Sequence, residues 1–105
     1  MERRRSSRYL CSEIVEISEN GRGRRLTVLL EDLSPEGAAV SSEEPMEPGH
    51  SVELITGGLR AQARVRYCEK RETDFRVGLE FAAECRWQPE GDWRPEHMFL
   101  PPPAR

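Results

Sequence analysis

The sequence predicts an all-β domain, closed into a barrel or folded as a sandwich, and three observations carry the prediction. Six short apolar or alternating runs fit into about seventy residues, with turn residues between nearly all of them. Two of the runs alternate with a period of two. Ala61, Ala63, Val65 and Tyr67 stand between Arg60, Gln62, Arg64 and Arg66, and Val77, Leu79 and Phe81 alternate with Arg76, Gly78 and Glu80. That is the pattern of strands with one face in the core and the other in solvent. Finally, a chain of 105 residues is one domain by size, with room for a single modest core.

Residues 1–8 are charged and lack periodicity, so they read as a flexible arm that contacts with a ligand would order. Tyr9 to Ser18 contains Ile14, Val15 and Ile17 and reads as a first strand whose imperfect alternation suggests a bulge. Glu19 to Arg24 is a turn, and its Asn20-Gly21 pair is a strong hairpin signal. Leu26, Val28 and Leu30 mark a second strand, Ala38 to Ser41 a short third, and Ser51 to Thr56 a fourth. The Pro45, Pro48 and Gly49 stretch between the last two is a loop, and Gly57-Gly58 ends the fourth strand. The two alternating runs supply strands five and six, joined by the charged turn Glu69 to Asp74. Val65, Tyr67, Val77, Leu79 and Phe81 are therefore the expected core of these strands. The barrel spans residues 9–83, and residues 84–105 form an irregular tail rich in Trp and Pro. In that tail Asp92 could cap one helical turn, Trp87 and Trp93 suit a cover over the barrel, and Pro101–Pro103 suits polyproline II.

Composition excludes several functions. The formal net charge is −3, from 16 basic and 19 acidic residues, so the chain as a whole does not suit a long polyanion. The charge is unevenly spread: residues 1–25 hold seven arginines against four glutamates, whereas no Lys or Arg occurs from Leu26 to Leu59. A basic end on an acidic body suits a small anionic ligand, or else is merely a solvated tail. Cys11, Cys68 and Cys85 show no CxxC spacing and read as reduced thiols of a cytoplasmic protein, Cys68 as a small core residue. His50 and His97 are too few and too far apart for a metal site or a nucleophilic triad, and no phosphate-cradling glycine loop appears. No catalytic, metal or cofactor site is expected, and no signal peptide or membrane span is visible.

One stretch organises the rest. Glu31-Asp32-Leu33-Ser34-Pro35-Glu36-Gly37 lies between two apolar runs. Pro35 presets φ for a turn, Gly37 can supply a positive φ at its exit, and Asp32 and Ser34 can bond local amides or offer oxygens outward. By itself this is a tight β-turn. At the N-terminus, Arg3-Arg4-Arg5-Ser6-Ser7-Arg8 offers it a basic partner.

Together the two stretches resemble the PilZ domain family, whose signature is an RxxxR pair followed by a [D/N]xSxxG turn. Here the pair is Arg4 and Arg8, the turn is Asp32 to Gly37, and Arg76 to Phe81 looks like the family's last barrel strand. The resemblance covers roughly residues 2–82 and implies a six-stranded antiparallel β-barrel that binds cyclic di-GMP. It assigns Arg4 and Arg8 to ligand phosphate and guanine, and Asp32 and Ser34 to guanine recognition. Gly37 would act through backbone geometry, with Arg3 and Arg5 adding electrostatic attraction. The chemistry suits the roles: a guanidinium can fork onto a phosphate or the O6/N7 edge of guanine and also stack on a base. A carboxylate accepts from guanine N1–H and N2–H₂, donors that adenine lacks. Family members often continue into a C-terminal helix, for which this tail is poorly suited.

Three functions compete at this point. The first is a cyclic di-GMP receptor that relays its signal through an unknown protein effector or a change in oligomerisation, as a monomer or homodimer. The second is a PilZ-like interaction module without nucleotide. The third, nucleic-acid binding by the arm, is opposed by the acidic body and the lack of exposed aromatic strand motifs. No membrane partner is expected.

Overall fold

In a computed structural model, described over residues 8–19, 23–91 and 93–99, the alternating runs close on one another. The strands are β1 (Tyr9–Glu19), β2 (Arg24–Ser34), β3 (Gly37–Ser42), β4 (Ser51–Ile55), β5 (Arg60–Lys70), β6 (Phe75–Phe81) and β7 (Met98–Phe99). β1 pairs with β2, β2 with β3, β3 with β6, β6 with β5, β5 with β4, and β4 returns to β1, all antiparallel. The result is the expected closed six-stranded barrel, with no open edge among its strands. Inside it, Ile17, Leu30, Leu33, Val40, Val52, Leu54, Val65 and Val77 are each less than 2% exposed. Burial of a side chain of this kind contributes about 1.5–3 kcal/mol, which is why the alternation dictates which face turns inward.

Three strands each carry one residue more than their partner. The extra residues fall between Leu10 and Glu13 of β1, between Leu30 and Asp32 of β2, and between Val65 and Tyr67 of β5. Such bulges bend the strand and reverse the faces beyond them. The bulge at Arg66 corrects one expectation. Tyr67 is not a core residue but lies on the outside, 38% exposed, while Cys68, the expected small core residue, is only partly buried and packs against the core. The outward Tyr67 ring lies over Gly78, its register partner, where a β-carbon would stand 2.2 Å from the ring.

Gly37 corrects a second expectation. Positive φ occurs only at Gly23 and Gly49 among the described residues. The turn between β2 and β3 needs just Pro35 and Glu36, so Gly37 is already in the strand. Its lack of a side chain matters for a different reason. A β-carbon there would stand 2.1 Å from the Leu79 carbonyl oxygen of β6.

The described part of the tail is not wholly irregular. A 3-10 turn (Ala83–Cys85) leads to Trp87, and β7 pairs with the start of β1, Leu10 opposite Phe99 and Cys11 opposite Met98. Among the described residues no helix follows Cys85; the suggested cap at Asp92 falls outside them. Trp87 is 2% exposed and meets Tyr9 edge to face, with ring centroids 5.6 Å apart. Its indole N–H donates to the Trp93 carbonyl at 2.9 Å, which satisfies the polar edge of a buried ring. Its backbone amide donates to the Pro35 carbonyl at 3.1 Å, so the tail is tied to the β2–β3 turn.

Candidate functional site

The site begins with the bulge in β2. Leu30 and Leu33 are both fully buried although three positions apart, an odd spacing that a regular strand would place on opposite faces. The extra residue absorbs the difference and leaves Glu31 and Asp32 adjacent on the outer side. Arg76 of β6 reaches both: Nη1 donates to Glu31 Oε1 at 2.7 Å and Nη2 to Asp32 Oδ2 at 2.9 Å. Arg8, immediately before β1, closes over Asp32 from the other side, its Nη2 donating to Oδ1 at 3.0 Å and Oδ2 at 2.9 Å. Asp32 is thereby only 4% exposed, with its charge matched by two guanidiniums.

The network continues along β6. Arg71, in the β5–β6 turn, donates to Glu31 Oε2 at 3.1 Å and to Asp74 Oδ1 at 2.8 Å, and Asp74 accepts from the Ser41 hydroxyl at 2.6 Å. Arg71 and then Ser41 hold the Asp74 carboxyl below the usual carboxylate range. Burial works against the charge of Arg76, but hydrogen bonding to Tyr67 and to Asp32 outweighs it and raises its pKa. Among the described residues no buried side-chain nitrogen or oxygen lacks a partner, so no buried atom of the network is left unpaired.

Beside this network lies an open hollow of about 470 Å³, within the usual range for small-molecule sites. It is lined by Arg8, Ser34, Glu36, Gly37 and Ala38 together with Arg66, Tyr67, Gly78, Leu79 and Glu80. The Arg8 side chain is 44% exposed at its mouth. Ser34 Oγ donates to the Gly37 carbonyl at a long 3.4 Å, a weak contact that the hydroxyl can give up. Tyr67 offers an aromatic face and Arg8 a guanidinium, groups suited to a flat, anionic, hydrogen-bonding ligand.

The sequence-predicted residues are distributed as follows. Arg8, Ser34 and Gly37 line the hollow together; Asp32 sits behind Arg8 and does not line it. Arg3, Arg4 and Arg5 fall outside the described residues. Tyr67, Arg66, Arg76 and Glu31 were not singled out from the sequence as site residues. Periodicity assigns Tyr67 to the core because nothing in the alternating run marks the bulge, and the pairing of Arg76 with Asp32 spans 44 positions. Among the described residues no group of His, Cys, Asp and Glu could hold a metal ion.

A closed six-stranded antiparallel barrel with Arg8 folded over a DxSxxG hairpin defines the class of protein. The chain belongs to the PilZ domain family, which matches residues 2–85. Solved structures agree on the fold. The PilZ domain of YcgR from Escherichia coli, determined with c-di-GMP, is 19% identical over 78% of this chain and 79% of that one, with a TM-score of 0.59. The Bacillus subtilis inhibitor of motility, MotI/DgrA, is 21% identical over 80% of this chain and 46% of that one, with a TM-score of 0.65. Escherichia coli YcgR in complex with c-di-GMP is 22% identical over 79% of this chain and 39% of that one, at a TM-score of 0.56. The match thus covers less than half the length of the last two proteins. No curated protein sequence matches the chain.

Proposed function

We propose that this chain is a cytoplasmic cyclic di-GMP receptor domain that clamps the dinucleotide between its N-terminal arginines and the Asp32–Gly37 hairpin and signals to a protein partner. The observation that carries the reading is the convergence of Arg8, Ser34 and Gly37 on one hollow, with Asp32 directly behind Arg8. Arg4 and Arg8 bind phosphate and guanine, Asp32 and Ser34 read the guanine edge, and Arg3 and Arg5 draw the anion in. Tyr67, which lines the same hollow, supplies a stacking face. Calorimetry with cyclic di-GMP, GTP and single-stranded RNA tests the reading, and only the first should bind tightly. Arg4→Ala and Arg8→Ala should each weaken binding about ten- to a hundredfold, the loss of one charge-assisted hydrogen bond. Unchanged titrations for both variants would remove the arginine pair from the site.

A second reading, an interaction module without nucleotide, is favoured by one observation: Asp32 is already saturated by Arg8 and Arg76. It predicts no heat with cyclic di-GMP from a correctly folded protein.

A further inference from the structure

We propose that the two arginines on Asp32 have different tasks, Arg8 being an exchangeable cover and Arg76 a fixed positioning residue that presents the Asp32 carboxylate to a guanine edge. The inference rests on the receptor reading above and adds a residue that neither the RxxxR pair nor the hairpin contains.

The asymmetry is visible in how each guanidinium is held. Arg8 precedes the first residue of β1, uses a single nitrogen on both Asp32 oxygens, and its side chain is 44% exposed. Arg76 lies within β6, paired to Ser41 of β3, and its side chain is 27% exposed. It forks across two carboxylates, so its position is set at Glu31 and Asp32 together. Glu31 is itself held by Arg71, which is held by Asp74. Among the described residues, releasing Arg8 breaks hydrogen bonds to Asp32 alone; releasing Arg76 breaks those to Glu31 and Asp32 of β2 and to Tyr67 of β5.

Asp32 is 4% exposed in this arrangement, so no guanine can reach it until Arg8 moves. When it does, Arg76 remains as counter-charge to a carboxylate set beside a second acid, Glu31. It holds Asp32 in place through Oδ2, with Oδ1, the oxygen it does not touch, left for the ligand. The freed Arg8 guanidinium then meets the ligand in the hollow it already lines. The exchange conserves charge pairing, since each cation keeps an anion throughout.

The test is a double-mutant cycle on cyclic di-GMP binding, with cyclic di-AMP as the adenine probe. Arg76→Gln should weaken cyclic di-GMP about tenfold and narrow its preference over cyclic di-AMP, as Asp32→Ala should. The double variant should bind no worse than Asp32→Ala alone, because both changes remove the same guanine contact. Arg76→Lys keeps the charge but cannot fork, so it should fold well and still lose discrimination. A purely structural Arg76 would lower the melting temperature and leave the preference intact. Wild-type preference in Arg76→Gln or Arg76→Lys, or a double variant whose loss is the product of the two single losses, overturns the proposal and leaves the receptor reading standing. A wild-type protein that binds no cyclic di-GMP overturns both.

Discussion

Gly37 is the residue whose smallness the barrel needs most directly. Ala38 pairs with Leu79 across β3 and β6, and the Leu79 carbonyl fills the space where a Gly37 side chain would begin. Gly37→Val should therefore part the two strands beside the hairpin and lower stability beyond the ~1 kcal/mol typical of point changes, checked by denaturant melts. Gly23→Ala is the informative contrast, since space there is open and only the positive φ resists the change. Cys11 carries a chemical prediction. Its thiol is pushed up to about 12, first by burial and then by the carboxylates of Asp32, Glu13 and Glu31. Its folded pKa lies above the value of 9.0 for a free thiol, so its stabilising contribution is intact below about pH 9 and is lost as pH rises towards 12. Urea midpoints should fall across that window, and fall less steeply in Cys11→Ala. Identical slopes would place no titration at Cys11.

At the scale of elements, the strands differ in how much of them the alternation could reveal. β6 is regular, and Val77, Leu79 and Phe81 are buried as their spacing predicts. Leu79→Ala or Phe81→Ala should cost about 2–5 kcal/mol, and a loss below about 1 kcal/mol in a denaturant melt would contradict that packing. β5 and β2 are irregular, and there the one-residue insertions decide which side chains face outward. Arg66 turns Tyr67 out of the core onto Gly78, and the β2 bulge turns Glu31 and Asp32 out together. Sequence periodicity marks the existence of these strands because burial imposes it. It is blind to the bulges because one extra residue leaves the composition of a strand unchanged. The hairpin motif was legible as a short local pattern. The Arg8–Asp32–Arg76–Glu31–Arg71 network was not, since its members meet only after β1, β2, β6 and the β5–β6 turn have assembled.

Across the whole molecule, barrel closure brings the two ends of the described chain to the same hairpin. Arg8 reaches Asp32 from the N-terminal side, while Trp87 binds the Pro35 carbonyl from the C-terminal side and rests on Tyr9, the residue after Arg8. This arrangement makes the protein its own optical gauge. The chain has two tryptophans, and Trp87 is deeply shielded from water with its N–H committed to the Trp93 carbonyl. An indole so placed emits at the blue end of its range, and its brightness depends on the angle and distance of the phenol against it. On the receptor reading, a ligand that displaces Arg8 acts one residue from Tyr9, so cyclic di-GMP should change the emission of Trp87 without an added label. Trp87→Phe should abolish that change while calorimetry still reports binding. A signal that survives the substitution would come from Trp93, and the coupling from arm to tail through Tyr9 would then be absent.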